Sequence, residues 1–267
     1  MGGVYGFLRT PKWIFGHVLA LVAVVTFVSA GFWQLDRLAD RRAYNALVAE
    51  RSAAPPTDLA ELLDTVGEDG EALAYRRASV TGRYVPDHEV VVTGRSLDGA
   101  PGMHVLTPLV TDAGRTVIVD RGWVPYEADP DPPIAEALPP EGQVTVTGLL
   151  FPDEPGARSG PEGAGSGEIA YVTQVDLGLL ATPDLPPLVP AYLLASAQEP
   201  AGDGPLPRPV EPPALDEGPH LSYAVQWFLF TAIVLIGYPL LVWRTARERR
   251  REQEPRRDPV AAGDVRG

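Results

Sequence analysis

Two long uncharged runs constrain this chain more than any other feature of the sequence. The first covers residues 13–35, the second covers residues 221–243, and each contains 23 residues without a formal charge. At about 1.5 Å of helical rise per residue, a run of this length crosses a hydrocarbon core of roughly 30 Å with some tilt. We therefore expect two transmembrane helices with one folded domain, residues 36–220, between them.

The arginines beside the second run set the expected orientation. Positively charged flanks are retained on the cytoplasmic side of a membrane, and this run is followed by Arg244, Arg247, Arg249, Arg250 and Arg251. The first run gives a mixed signal, because basic residues lie on both sides of it. We expect a cytoplasmic N-terminus (residues 1–12), an extracytoplasmic domain (36–220) and a cytoplasmic basic tail (244–267).

The first run has an alternative interpretation as a signal peptide. Val28, Ser29 and Ala30 resemble a small-residue cleavage site. The length of the run, and the aromatic residues that follow directly, favour a retained helix.

Charge and composition exclude several classes of function. The net charge is -13, and residues 36–220 contain 12 arginines against 30 acidic residues. Such a domain repels phosphates, so we expect no nucleic-acid partner. The chain has no cysteine, which excludes disulfides, thiolate metal sites and covalent haem attachment.

The middle of the chain changes to a period of two after residue 75. Its runs of Val, Thr, Tyr and Ile predict strands over residues 76–84, 89–93, 104–111, 116–120, 143–151 and 171–175. A turn at 112–114 makes residues 104–120 the clearest hairpin. Closely spaced strands without regular intervening helices indicate an antiparallel sheet, either a small barrel or a sandwich, and we favour the barrel.

The remaining segments read as short helices and loops. The first helix is expected to continue to Ala53, and Asp58 to cap a short helix after it. Residues 156–167 and 198–217 are rich in Gly, Pro or acidic residues and are expected to be mobile loops.

The search for catalytic motifs is negative, so we expect no enzyme. The sequence lacks HExxH, GxSxG, a P-loop and a GxGxxG that opens a helix. His88 and His104 are best explained as solvated or hydrogen-bonded structural residues. A metal-ligand role is the alternative, but no neighbouring residue in the sequence completes a ligand set.

His220 is the strongest candidate for a binding role, because it begins the second run. On a helix it shares a face with Tyr223, Ala224 and Trp227, at positions i+3, i+4 and i+7. An imidazole flanked by flat rings suits an iron porphyrin, whose iron it can ligate. The alternative is an interfacial anchor, since Tyr and Trp gather at membrane surfaces.

If the two helices are antiparallel, the expected neighbours of His220 lie at the end of the first run. They are Gly31, Trp33, Gln34 and Arg37, where Gly31 permits close approach, Gln34 bonds across the helices and Arg37 holds an acidic group such as a haem propionate. His17 is a separate intramembrane candidate, about 27 Å from the level of His220 at helical rise.

Four separated motifs resemble the surfeit locus protein family of cytochrome c oxidase assembly factors. They are residues 31–37 (GFWQLDR), 101–109 (PGMHVLTPL), 119–125 (VDRGWVP) and 220–228 (HLSYAVQWF). They occur in the same order and with the same two-span topology, over nearly the whole chain.

The resemblance implies a membrane protein of respiratory-chain biogenesis rather than an enzyme. The first span begins by about residue 13, without the presequence of an animal mitochondrial member, so we expect a bacterial cell membrane. Its expected role is to assist delivery of haem a to the catalytic subunit of a haem-copper oxidase, or its stabilisation there, with that subunit and other assembly factors as partners. The family's haem-associated histidine falls on His220, and Tyr223 and Trp227 come with it. Arg121, Gly122 and Trp123 are expected at a strand end, with Gly122 in a tight turn and Trp123 packing on the membrane-facing rim, as a structural or partner-binding motif.

Two other functions stay open from the sequence. One is a cofactor-free scaffold that stabilises oxidase assembly intermediates. The other is a membrane-anchored sensor, which the short polar tail after Arg244 disfavours because it leaves no room for an output domain.

Overall fold

Long helices at both ends of the chain enclose a β-rich segment in the sequence. The computed structural model describes residues 5–128, 131–156 and 171–253. These residues form two compact units, one from Met1–Asn45 with Asp216–Gly267 and the other from Ala46–Leu215. Of the loop expected at 156–167, only Gly156 lies within the described residues.

The two long helices contain the two uncharged runs. Helix α1 covers Pro11–Ala53, after a short 3-10 turn at Gly6–Arg9, and helix α5 covers His220–Gln253. Both are long and apolar enough to cross a membrane. The expected continuation of α1 beyond its apolar run is confirmed, and the helix ends just before two prolines, which cannot continue it.

Eight strands and three short helices make up the described part of the second unit. The helices are α2 (Leu59–Val66), α3 (Gly70–Leu73) and α4 (Leu177–Leu180). The strands are β1 (Thr57–Asp58), β2 (Arg77–Tyr84), β3 (Val90–Leu97), β4 (Ala100–Thr111), β5 (Thr116–Pro125), β6 (Val144–Pro152), β7 (Tyr171–Val172) and β8 (Ala191–Glu199).

Five of the strands close into a barrel. Strand β2 pairs with β6, β6 with β8, β8 with β5, β5 with β4, and β4 returns to β2. All of these pairings are antiparallel except β5 with β8. Strands β3 and β7 extend the sheet beyond β4. The barrel prediction is therefore confirmed, as are the 104–120 hairpin and Asp58, whose carboxylate accepts the Ala60 N–H at 2.8 Å.

Strand β8 was not predicted. Its sequence, AYLLASAQE, consists mainly of residues that favour helices and lacks β-branched residues. It becomes a strand because β6 and β5 pair with it on either side. Tertiary pairing here overrides local propensity.

The barrel interior is filled by aliphatic side chains from every one of its strands. Each of the following is at most 1% exposed: Val80, Leu109, Val119, Val146 and Leu193. Full burial of such a side chain stabilises the fold by about 1.5–3 kcal/mol. Leu62 of α2 and Leu73 of α3 belong to the same core.

A buried ion pair ties the long strands to the segment after β5. Glu89 accepts the Ile134 N–H at 2.8 Å and the Thr107 hydroxyl at 2.7 Å, and it lies 3.4 Å from Arg121. Arg121 also donates to the carbonyl of Ala137 at 2.7 Å. Burial raises the pKa of Glu89 and lowers that of Arg121. Both side chains are almost completely enclosed, so each depends on the other for compensation of its charge.

We predict that Glu89→Ala lowers the unfolding free energy of the full chain by about 3–5 kcal/mol, because Arg121 is left buried without a carboxylate. Denaturant titration in detergent measures this loss. Glu68→Ala is the matched control, since the Glu68 side chain that pairs with Arg115 is 58% exposed and the loss of an exposed carboxylate costs little. Similar losses in both variants would contradict the assignment.

Candidate functional site

His220, the first residue of α5, is bonded to α1 through its Nδ1 atom. That atom lies 2.9 Å from Oε1 of Gln34. An amide oxygen only accepts hydrogen bonds, so Nδ1 carries the proton and the neutral imidazole keeps its lone pair on Nε2. Across the described residues, no protein group hydrogen-bonds to Nε2. The ring is thus oriented through one nitrogen, with the other left for a ligand.

Asp216 and Glu217, which lie in the turn before His220, accept hydrogen bonds from three side chains of α1. Arg42 forms two 2.8 Å hydrogen bonds to the Glu217 carboxylate, which hold the pKa of that carboxyl below its ordinary value. Arg41 and Asn45 both donate to the carbonyl of Asp216, at 3.0 and 2.8 Å. These contacts fix the start of α5 against α1. They were not predicted, although the sequence shows an Arg-Arg pair and an Asp-Glu pair beside the two spans.

Gly218 lies against the free side of the imidazole. Its φ of +66° favours glycine, and a Cβ at this position would lie 3.4 Å from Cδ2 and 3.5 Å from Nε2 of His220. A side chain at this position would thus be in van der Waals contact with Nε2, and glycine leaves that atom without this neighbour. No sequence pattern indicates this role of Gly218, because the role depends on backbone conformation.

Aromatic side chains line the helix pair below His220. The Trp227 ring lies 5.6 Å from that of Phe27, and Ala224 is buried. The ring of Phe228 fills the space beside Gly31, where a Cβ would approach it to 2.8 Å. Gly31 therefore makes room for an aromatic ring of the facing helix.

The other residues predicted around His220 are exposed to the surroundings of the helix pair. Trp33 and Tyr223 are exposed, at 56% and 47%, so Tyr223 points away from the seam that Ala224 and Trp227 share. Arg37, three residues after Gln34, is exposed and lies 3.9 Å from the Asp40 carboxylate. The Arg37 guanidinium therefore lies at the surface, and Arg37 is close in sequence to Gln34, the partner of His220.

His17 contacts the far part of α5, not His220. Its Nδ1 atom lies 2.5 Å from the Tyr238 hydroxyl and its Nε2 atom 3.3 Å from the carbonyl of Leu8. Both nitrogens are occupied, so this histidine is a structural link between elements of the first unit.

The expectation for Gly122 and Trp123 is wrong in two respects. Strand β5 continues to Pro125, and Gly122 lies inside it at a bulge, with φ +129° and the Arg208 carbonyl where a Cβ would be. No turn occurs there, because the strand keeps pairing with β4. Trp123 is 4% exposed, so it is a core residue, and its backbone forms two 2.8 Å hydrogen bonds with Arg208.

The same bonds correct the expectation for residues 198–217. The segment begins inside β8, which ends at Glu199, and is tied to β5 at Arg208. It is therefore not a free loop over its whole length.

The remaining histidines occupy structural surroundings. Nδ1 of His104 lies 2.8 Å from the Asp120 carboxylate, which also accepts the Gly122 N–H. This agrees with a hydrogen-bonded structural role for His104. His88 lies in the 3-10 turn Pro86–His88. Among the described residues, no group of three or more His, Cys, Asp or Glu is arranged to hold a metal ion.

The surroundings of His220 fit an iron porphyrin. A metal-ligating histidine normally donates its second nitrogen to an acceptor, which Gln34 supplies here. Gly218 places no side chain beside Nε2, and Trp227 offers an apolar ring two turns along the same helix. The fit thus rests on a fixed tautomer and on the missing side chain at Gly218.

These features define a membrane protein in which two antiparallel apolar helices flank, in sequence, a five-stranded β-barrel domain. Residues 21–232 match the SURF1 family, and the chain belongs to that family.

Three similar proteins each align with this chain over most of their own length. An uncharacterized SURF1-like protein of Mycobacterium tuberculosis (strain ATCC 25618 / H37Rv) is 33% identical over 252 residues, which is 92% of this chain and 89% of the relative. A SURF1-like protein of Rickettsia felis is 25% identical over 224 residues, or 82% and 94%. A SURF1-like protein of Monosiga brevicollis is 28% identical over 238 residues, or 84% and 85%.

We predict that Gln34→Leu shifts His220 from the Nδ1-protonated form toward the Nε2-protonated form, because Nδ1 loses its acceptor. Nitrogen NMR of the histidine-labelled protein in detergent reports the tautomer directly. Gln226→Leu, which removes an exposed amide from α5, serves as the control. An unchanged His220 signal in Gln34→Leu would show that this bond does not set the tautomer.

Proposed function

We propose that this protein is an assembly factor for haem-copper cytochrome c oxidase that holds haem a through His220 during delivery to the catalytic subunit. Membership of the SURF1 family supports the assembly role, since the family is one of assembly factors rather than enzymes. The hydrogen bond from His220 to Gln34 supports the haem role. It leaves Nε2 as the nitrogen that faces a ligand.

Each residue around His220 then has a distinct task. Gln34 fixes the protonated nitrogen, and the Arg42–Glu217 pair holds the first turn of α5 in place. Gly218 keeps the approach to Nε2 open. Haem a supplies a redox-active iron for the finished oxidase, and this chain contributes one neutral nitrogen ligand and no covalent bond, which suits transient holding.

Rings and charges near His220 serve a planar amphipathic ligand. Trp227 lies on the α5 seam and Tyr223 on its exposed side, so the two flank the helix surface below His220. Arg37 remains available for a propionate, because its contact with Asp40 at 3.9 Å is exposed and weak.

The orientation that we propose places both chain ends in the cytoplasm and the barrel outside the bacterial membrane. It is supported by the contrast between the helix ends. Three arginines, Arg37, Arg41 and Arg42, lie near His220, whereas the described residues at the opposite end include seven Lys or Arg. The number of Lys and Arg beside a span decides which side is retained in the cytoplasm, and acidic residues contribute little.

Replacing His220 tests the proposal. The full-length protein from a host that makes haem a, purified in mild detergent, is expected to show Soret and alpha bands that His220→Ala loses. His104→Ala is the matched control, because it removes an imidazole bonded to Asp120 in the barrel domain and is expected to retain both bands.

Two outcomes would overturn the haem role. A colourless wild-type protein, with haem supply confirmed, would favour a cofactor-free scaffold for assembly intermediates. Bands retained in His220→Ala would place the haem ligand elsewhere.

Gly218→Ala is expected to weaken haem binding at least tenfold, because its methyl group fills the space beside Nε2. The affinity is measured by titrating haem and following the Soret band. Gly99→Ala carries similar backbone strain at φ +80° but has no atom within 4 Å of its added carbon, so it controls for strain. Equal losses in the two variants would show that crowding at His220 is not the cause.

A further inference from the structure

The N-terminal segment folds onto the helix pair at the end opposite His220. The Leu8 carbonyl lies 3.3 Å from Nε2 of His17, whose other nitrogen lies 2.5 Å from the Tyr238 hydroxyl. The Leu8 carbonyl only accepts hydrogen bonds, so Nε2 carries the imidazole proton, and Nδ1 accepts the Tyr238 hydroxyl proton. The Thr10 hydroxyl adds a 2.8 Å bond to the carbonyl of Phe7. His17 therefore serves to hold residues 7–10 in place.

Residues 7–10 contact the end of α5 at the ring of Phe7. Phe7 is only 3% exposed, and its ring lies edge-on to Trp13 at 4.8 Å. The guanidinium of Arg249 lies over the Phe7 ring, 4.8 Å from its centre. A cation over an aromatic face keeps its hydrogen-bond donors directed outward. The Phe7 ring thus fixes the position of the Arg249 guanidinium at the end of α5.

Positive charge at this end is largely uncompensated. The described residues here include seven basic side chains and two acidic ones, Glu248 and Glu252, and Glu248 is paired with Arg244. We call the remaining cations the basic rim: Arg9, Lys12, Arg247, Arg249, Arg250 and Arg251. Among the described residues, none of them has a carboxylate partner. At the other end of the helix pair, Arg42 is neutralised by Glu217 through two hydrogen bonds.

We propose that the basic rim binds the phosphodiester group of an anionic phospholipid. The rim begins directly where both uncharged runs end, which is the level of lipid headgroups. Its cations come from both ends of the chain, and the contact between Phe7 and Arg249 joins these two segments. A phospholipid suits this arrangement, because its phosphate can accept hydrogen bonds from a guanidinium of the rim while its acyl chains lie along the exposed apolar faces of α1 and α5. The proposal is independent of any haem at His220.

Native mass spectrometry of the full-length protein in mild detergent tests this, with equal amounts of phosphatidylglycerol and phosphatidylcholine added. The wild type is expected to bind phosphatidylglycerol in preference. Arg249→Gln is expected to weaken that binding about fivefold, the effect of one surface arginine on an anionic lipid. Arg42→Gln is the matched control at the opposite end and is expected to keep the preference. Arg250→Gln, which leaves the Phe7 contact intact, repeats the test should Arg249→Gln unfold.

Three results would overturn the proposal. They are equal binding of the two lipids to the wild type, an equal loss in Arg42→Gln, and displacement of phosphatidylglycerol by inorganic phosphate at the same concentration. The last result would mean that the rim recognises a free anion rather than a lipid.

Discussion

The hydrogen bond between Gln34 and His220 is the interaction on which the proposed site depends. It joins α1 to the first residue of α5 and sets the imidazole tautomer. The helices run antiparallel and contact each other at two further places. Gly31 packs against Phe228 close to the Gln34–His220 bond, and His17 bonds to Tyr238 near the opposite end of the helix pair. Burial of apolar side chains gives little drive to association between helices in lipid. Polar bonds and close ring contacts at both ends therefore define how this pair is arranged.

The two ends of the helix pair differ in chemistry as well as in sequence. At the His220 end, Arg41 and Arg42 pair with Asp216 and Glu217 and so fix the turn before α5, while Arg37 lies near Asp40 of its own helix. At the other end, the N-terminal segment and the tail of α5 present arginines that lack such partners among the described residues. In our proposals, the first end holds a ligand at the neutral Nε2 atom of His220, and the second end binds a negatively charged headgroup. In the barrel domain, by contrast, the buried Glu89–Arg121 pair serves the fold.

Much of this architecture is predictable from sequence, because it follows from simple periodicities. Uncharged runs of 23 residues predicted α1 and α5, and alternation predicted most strands of the barrel. Strand β8 was missed because its alanines and leucines favour a helix until β5 and β6 pair with it. Gly122 was misassigned to a turn, since a bulge and a turn place the same demand on a glycine. Counting helical rise predicted four neighbours for His220, and one of them, Gln34, is its hydrogen-bond partner. The roles of Gly218 and of the Arg42–Glu217 pair were not predicted, because they depend on the backbone conformation of the turn before α5.

The most direct test of the central claim asks which nitrogen coordinates the haem iron. Pulsed electron paramagnetic resonance of the ferric haem complex, prepared with histidine labelled with nitrogen-15 at Nε2, detects coupling between the iron and a coordinating imidazole nitrogen. The account predicts coupling to a labelled Nε2 in the wild type and in His104→Ala, and its loss in His220→Ala. A haem complex with no coupling to labelled histidine, or with the same coupling after His220 is replaced, would contradict it.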